Sequence, residues 1–138
     1  METIRIKDKQ FKTFITEEQI LKEVARVGEE INRDLADANP LFVSVLNGSF
    51  NDDITGRTIV IVEDIIDTGL TMERLIETLK ARNPKEIRIA TLLVKPDKLK
   101  VDLDINYIAM SIPNDFIVGY GLDYDGLGRN YRDIYTVI

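Results

Sequence analysis

The run from Thr58 to Thr71 constrains this chain more than any other segment. It opens with an apolar, β-branched stretch, Thr58–Val62, which predicts a buried strand. Two adjacent carboxylates, Glu63 and Asp64, are predicted to end that strand, and Asp67 with a Thr-Gly pair leads into a helix-like pattern. The sequence therefore predicts a strand, a turn and a helix. Such a turn offers backbone N–H groups and a hydroxyl to a phosphate at the positive end of the helix.

The carboxylates of this run suit other parts of a phosphorylated ligand. Glu63 and Asp64 are poor partners for a phosphate itself, but they suit sugar hydroxyls and a Mg²⁺ ion that the ligand carries. The run contains no Gly-x-x-x-x-Gly-Lys, so it is not a Walker loop. It predicts a site for a sugar phosphate.

The other predicted elements alternate between strands and helices. A capping box at Thr16–Gln19 begins a helix that Asn39-Pro40 is predicted to end, and a second helix is predicted over residues 70–82. Strands are predicted at residues 41–46, 87–94, 107–111, 116–120 and 134–138. This alternation predicts a parallel α/β sheet, with ligands bound beyond the carboxyl ends of the strands. Four polar clusters are predicted there: Asn47-Gly48, Glu63-Asp64, Lys95 and Gly119–Asp123.

The amino-acid composition limits which side chains can carry out catalysis and which partners we expect. The 138 residues are expected to form one domain, residues 1–138, and they contain no cysteine and no histidine. Acid–base work therefore falls to Asp, Glu, Lys or Tyr. The net charge of −6 argues against nucleic acid as the main partner. Because the sequence has neither a membrane-length apolar run nor a signal peptide, we expect no membrane partner and a cytoplasmic location.

Five motifs in order along the chain resemble those of the hypoxanthine-guanine phosphoribosyltransferases, within the type I phosphoribosyltransferases. The motifs are Val45–Phe50, Val62–Gly69, Leu92–Lys95, Phe116–Tyr124 and Tyr131–Asp133. The resemblance implies an α/β fold with a parallel-sheet core, here trimmed to about four parallel strands with flanking helices. It also implies purine salvage: Mg²⁺-dependent transfer of a phosphoribosyl group from phosphoribosyl pyrophosphate to hypoxanthine or guanine, which gives IMP or GMP and pyrophosphate.

The resemblance also implies roles for residues that match the motifs. Asp67 is expected to be the acid–base group near the purine N7. The phosphoribosyl group is expected to meet Glu63, Asp64, Asp67, Thr68, Gly69, Leu70 and Thr71. Pyrophosphate is expected at Leu46, Asn47, Gly48 and Arg132, with Arg129 as a competitor for the arginine position. The purine is expected to meet Lys95 at its 6-oxo group, Phe116 by stacking, the Ile117 backbone and Asp123. The expected metal ligands are Glu63, Asp64 and Asp123.

The chain departs from the family pattern between Phe50 and Asn51. There the family carries a helix, a strand and a flexible hairpin that closes over the reacting centre. The sequence leaves open whether this block was lost naturally, was removed by design, or is present in the protein and omitted from the sequence, with the numbering closed over it. Two alternatives to an active enzyme also stay open: a nucleotide or phosphoribosyl-pyrophosphate binding module, and a minimal scaffold. Loss of the block exposes the strand at 41–46, which favours a homo-oligomer, a dimer or tetramer.

Overall fold

The computed structural model describes residues 2–44 and 53–138. The chain divides into two compact units, one formed by Met1–Glu23 with Asn114–Ile138 and the other by Val24–Pro113. The helices are α1 (Glu17–Leu35) and α2 (Leu70–Lys80), and a short 3-10 helix spans Pro96–Lys98. The strands are β1 (Thr3–Ile6), β2 (Lys9–Ile15), β3 (Leu41–Ser44), β4 (Thr58–Ile66), β5 (Glu86–Val94), β6 (Tyr107–Ser111), β7 (Ile117–Val118) and β8 (Ile134–Val137).

The unit Val24–Pro113 is built on a four-stranded parallel sheet in the order β3-β4-β5-β6. In its register Ile61 of β4 pairs with Val43 of β3 on one side and with Ile89 of β5 on the other. The predicted four-stranded parallel core is confirmed, and β3 and β4 are neighbours as the trimmed sheet requires.

Both faces of this sheet carry apolar side chains, as is usual for parallel sheets. On one face the buried side chains of Ile59 and Ile61 pack in a cluster with Met72 and Leu79 of α2. On the other face Val60 packs with Tyr107 and with residues of the second half of α1. Those helical residues are Val27, Ile31 and Leu35, which follow each other four positions apart and so share one face of the helix.

The other unit contains a four-stranded antiparallel sheet in the order β1-β2-β8-β7. The hairpin of β1 and β2 is not among the predicted elements, although Ile4, Ile6 and Phe11 carry part of its alternating pattern. The capping box is confirmed: the Thr16 backbone N–H donates to Gln19 Oε1 at 2.9 Å, and the Gln19 N–H donates to Thr16 Oγ1 at 3.3 Å.

Two predictions of strand placement are wrong. The strand β4 does not end at Glu63 but runs through Ile66, because it keeps pairing with the equally long β5 as far as Val94. The residues near 116–120 do not extend the parallel sheet, because β7 covers only Ile117–Val118 and pairs antiparallel with β8.

No helix in the described part of the chain combines the length and the apolar character that crossing a bilayer demands.

Candidate functional site

A cavity lies at the turn that joins β4 to α2. Its volume is about 190 Å³, and its lining comprises Glu63, Ile65, Ile66, Asp67, Thr68, Gly69, Thr71 and Met72. Five of these residues are among those assigned to the phosphoribosyl group from the sequence. Asp64 and Leu70, the other two of that set, are exposed and are not part of the lining.

The turn is fixed by a glycine with a left-handed backbone. Gly69 has φ of +84°, and a Cβ at this position would lie 2.8 Å from Leu103 and 2.9 Å from Val101. The backbone N–H of Lys100 donates to the Thr68 carbonyl at 2.8 Å. The segment 99–103 therefore packs directly on the turn, and only glycine combines this φ with this close approach.

The amino terminus of α2 opens at the same turn. Gly69 caps the helix without a side-chain hydrogen bond, and the Thr68 hydroxyl accepts from the Leu70 N–H at 3.4 Å. The first N–H groups of a helix have no partner within the helix and lie at its positive end. This end of α2 can therefore hold an anionic group in the cavity.

The three acidic residues of the run have different surroundings. Because neighbouring residues of a strand point to opposite faces, Glu63 and Asp64 do not form one paired site. A carboxylate oxygen of Glu63 accepts the Asp64 backbone N–H at 2.9 Å, and burial raises the pKa of the Glu63 carboxyl. Asp67 Oδ1 is buried and has no hydrogen-bond partner among the described residues, while Lys98 Nζ lies 3.8 Å away.

Lys95 lies next to the end of β4. It follows β5 directly, its backbone N–H donates to the Ile66 carbonyl at 3.1 Å, and the residue is only 5% exposed. The structure thus brings Lys95 beside the β4 end that leads into the turn. Leu46, Asn47 and Gly48, predicted to bind pyrophosphate, lie outside the described residues.

The remaining predicted residues belong to the unit with the antiparallel sheet. Phe116 is 43% exposed, and its ring contacts Tyr124 edge-on with centroids 5.6 Å apart. The Val137 N–H donates to the Phe116 carbonyl at 3.1 Å, so the next residue, Ile117, takes the alternate position of the ladder. Its peptide groups therefore point away from β8.

Asp123 is engaged within its own unit. One carboxylate oxygen accepts the Gly126 N–H at 2.6 Å, and the other lies 3.1 Å from an Arg129 guanidinium nitrogen. Arg129 also donates to the Gly121 carbonyl at 3.1 Å. Arg132 is 84% exposed at its side chain and lies 4.0 Å from Glu17. Of the two arginines that compete for one role, Arg129 is therefore the one held beside Asp123.

Within residues 2–44 and 53–138, no group of three His, Cys, Asp or Glu side chains is arranged to hold a metal ion. Mg²⁺ in proteins is usually held by one or two carboxylates together with the phosphates of its substrate. A turn with Glu63 and a buried, unpartnered Asp67 oxygen fits such a shared site.

Comparison with known proteins identifies the family. The family model of the phosphoribosyl transferase domain matches residues 51–125. A hypoxanthine-guanine phosphoribosyltransferase of Streptococcus pyogenes is 32% identical over 163 residues, with 89% of this chain and 89% of the relative covered. The chain belongs to the hypoxanthine-guanine phosphoribosyltransferases.

Other hypoxanthine-guanine phosphoribosyltransferases are similar to this chain in sequence and in structure. The enzyme of Mycobacterium bovis is 51% identical over 82 residues, which are 59% of this chain, and the chain spans only 39% of that relative's length. A crystal structure of the Bacillus anthracis hypoxanthine-guanine phosphoribosyltransferase superimposes with a TM-score of 0.86 at 32% identity, covering 92% of this chain and 96% of the other. The enzyme of Leishmania tarentolae in complex with GMP gives 0.85 at 26% identity, covering 91% and 95%.

The streptococcal alignment bears on the block that departs from the family pattern. Its 163 positions exceed the 138 residues of this chain, so the relative carries residues that have no counterpart here. The predicted type I phosphoribosyltransferase fold is confirmed by these likenesses. The junction itself, Phe50 to Asn51, lies outside the described residues.

Proposed function

We propose that this chain binds phosphoribosyl pyrophosphate at the β4–α2 turn and transfers its phosphoribosyl group to hypoxanthine or guanine. The reaction is purine salvage, with IMP or GMP and pyrophosphate as products. The observation that carries the proposal is the cavity at the turn, because family membership and an anion-binding geometry meet in the same residues.

Each part of the turn suits one part of this substrate. The 5′-phosphate meets the amino terminus of α2 and the residues Thr68, Gly69 and Thr71. Glu63 accepts from the ribose hydroxyls. Asp67 takes or returns the proton at the purine N7, because its half-exposed carboxylate lines the cavity.

Mg²⁺ is the proposed cofactor. Glu63 and Asp64 would hold the ion at the ribose, and Asp123 would hold a second ion, each together with the substrate's own phosphates. When bound, the ion neutralises charge on the departing pyrophosphate. Positioning and charge neutralisation are the main needs of a displacement at an anomeric carbon, so a site without histidine or cysteine suffices.

The purine and the pyrophosphate have proposed partners as well. Lys95 donates to the 6-oxo group, Phe116 stacks on the base, and the Ile117 backbone contacts its 2-position. Arg129 and Arg132 remain the two candidates for the pyrophosphate arginine: Arg129 is engaged by Asp123 and the Gly121 carbonyl, whereas the side chain of Arg132 is 84% exposed. The loop Leu46–Gly48 keeps its proposed role at the pyrophosphate.

The direct test is an assay of the purified chain with hypoxanthine, phosphoribosyl pyrophosphate and Mg²⁺, after intact mass has established that the chain has 138 residues. We expect IMP and pyrophosphate in equal amounts, and loss of both products when a chelator removes Mg²⁺. Titration calorimetry with GMP is the companion measurement. A folded chain that binds neither phosphoribosyl pyrophosphate nor GMP would overturn the proposal and leave the minimal scaffold.

A second candidate is a binding module of the same fold. It is favoured because the streptococcal relative has residues with no counterpart here. The block that the family carries between the positions of Phe50 and Asn51 closes the site against water, and a chain without it can bind without turnover. For this candidate we expect GMP or phosphoribosyl pyrophosphate to bind in calorimetry while no IMP forms over hours.

The proposed partners are the two substrates and a second copy of the chain, in the cytoplasm. Within the described residues β3 pairs only with β4, and Phe42 on β3 is 55% exposed. An open edge of this kind can pair with another strand. We expect light scattering to give a dimer or tetramer, whereas a monomer at assay concentrations would remove the oligomer from the proposal.

A further inference from the structure

The contact between Lys98 and Asp67 is not explained by folding stability. Lys98 Nζ lies 3.8 Å from Asp67 Oδ1, and the two side chains are 40% and 47% exposed. Ion pairs between side chains as exposed as these contribute little to stability. Yet the oxygen that Lys98 faces is the one that is buried without a hydrogen bond.

The segment that carries Lys98 is tied to the turn at several points. Lys98 closes the 3-10 helix, and its N–H donates to the Lys95 carbonyl at 3.0 Å. Two residues later the Lys100 N–H donates to Thr68 at 2.8 Å, and the side chains of Leu99, Val101 and Leu103 surround Gly69. The backbone of Lys98 is therefore held beside the turn by contacts on both sides.

We propose that Lys98 is a positioning residue that holds the Asp67 carboxylate toward the cavity. At 3.8 Å the ammonium attracts the carboxylate without forming a hydrogen bond to it. Because the ammonium faces the buried oxygen Oδ1, the other carboxylate oxygen of this half-exposed side chain is left for the purine proton, and the side chain is restrained to one orientation. This inference rests on the proposed function of Asp67 as the acid–base group.

The geometry distinguishes Lys98 from Lys100 on the same segment. Lys100 contacts the turn through its backbone N–H, so replacing its side chain leaves that contact in place. Lys100→Met is therefore the matched control for Lys98→Met, and Lys98→Arg is the conservative variant that keeps a cation.

The experiment measures kcat, KM for phosphoribosyl pyrophosphate, and Tm for each variant. We expect Lys98→Met to lower kcat about tenfold with an unchanged KM and Tm, since small misplacement of a reacting group slows the chemical step. We expect Lys98→Arg to recover most of kcat and Lys100→Met to match the wild type. An unchanged kcat in Lys98→Met, or an equal loss in Lys100→Met, overturns the inference.

A double-mutant cycle separates this inference from the proposed function. In the Asp67→Asn background we expect Lys98→Met to have no further effect, because the residues act through one carboxylate. If the wild type binds GMP without turnover, the dissociation constant of GMP is measured for the same four proteins. Coupling between Lys98 and Asp67 in that constant supports the inference even though the chain does not catalyse the reaction. Additive effects, or a wild type that neither turns over nor binds GMP, overturn it.

Discussion

The β4–α2 turn and the β7–β8 segment, residues 119–133, are both rich in polar groups, but they use their carboxylates differently. In the turn Asp67 keeps a buried oxygen without a hydrogen bond among the described residues. In the β7–β8 segment Asp123 uses one oxygen for the Gly126 N–H and the other for Arg129. The first arrangement leaves bonding capacity in place, whereas the second consumes it.

This difference separates a site from a scaffold. A buried polar atom without a partner costs free energy, so its persistence indicates a role other than folding. A carboxylate that bonds a backbone N–H three residues ahead closes a turn and stabilises it. On this comparison Asp67 is the candidate for the proposed chemistry, whereas the bonds of Asp123 hold its own loop.

The largest expected effect comes from the carboxylate that lacks a partner. Asp67→Asn removes the acid–base group while keeping its shape, so we expect turnover to fall about 10²–10⁴-fold. GMP affinity is expected to change only a few-fold. Steady-state kinetics measures the turnover of the variant, and calorimetry measures its affinity for GMP. Asp97→Asn, on the exposed face of the 3-10 helix, is the control and should behave as the wild type. Equal activity in Asp67→Asn would remove Asp67 from its role.

The second effect tests whether the turn is fixed by its backbone. Gly69→Ala places a Cβ against Val101 and Leu103 at a positive φ, so we expect a loss of about 2–4 kcal/mol in unfolding free energy. Gly28→Ala is the matched control, because no atom lies within 4 Å of its added Cβ and the position is helical. There we expect a gain of roughly 0.5–1 kcal/mol. Urea unfolding measures the unfolding free energy of both variants. An unchanged unfolding free energy in Gly69→Ala would show that the turn adapts to the added Cβ.

The third effect tests the other side of the comparison. Asp123→Ala removes the bond to Gly126, and we expect it to cost about 1 kcal/mol of unfolding free energy. Asp123→Asn keeps an acceptor for that bond and is expected to cost less. If Asp123→Asn instead abolishes turnover with unchanged stability in thermal unfolding, the carboxylate acts on the ligand and the contrast with Asp67 disappears.

The sequence predicted the parallel core well because its signals are local. The capping box at Thr16, the helix after Gly69 and the β5 strand all depend on residues close together in the chain. The end of β4 was placed too early because Glu63 and Asp64 look like a turn by themselves. Only pairing with β5, which the sequence does not display, carries the strand to Ile66.

The sequence identified the turn residues but not what holds them. The roles of Lys98 and of the segment 99–103 depend on contacts with Asp67, Thr68 and Gly69 across more than twenty positions. The alternation in β1 and β2 was a signal that could have predicted their hairpin. The motif Tyr131–Asp133 favours Arg132, whereas the contact of Arg129 with Asp123 is a property of the folded loop that the sequence does not display.

The smallest expected effect concerns Glu63, whose pKa burial raises in the folded chain. A carboxyl with a raised pKa favours its protonated form, so the wild type loses stability as pH rises through that pKa. Glu63→Gln lacks this loss. We expect the variant to equal the wild type below the ordinary glutamate pKa and to exceed it by roughly 1–3 °C in Tm at neutral pH. Thermal unfolding across pH 4–8, without ligand, measures the difference.

Asp8 provides the control with the opposite sign. The Tyr124 hydroxyl bonds its carboxylate at 2.6 Å and holds the pKa of Asp8 below its usual value. Its contribution is therefore present at neutral pH and is lost as pH falls through the folded pKa, so Asp8→Asn should destabilise at neutral pH and converge with the wild type in acid. If both variants shift in the same direction, the burial of Glu63 is not a cost that the ligand site imposes, and the contrast between site and scaffold rests on Asp67 alone.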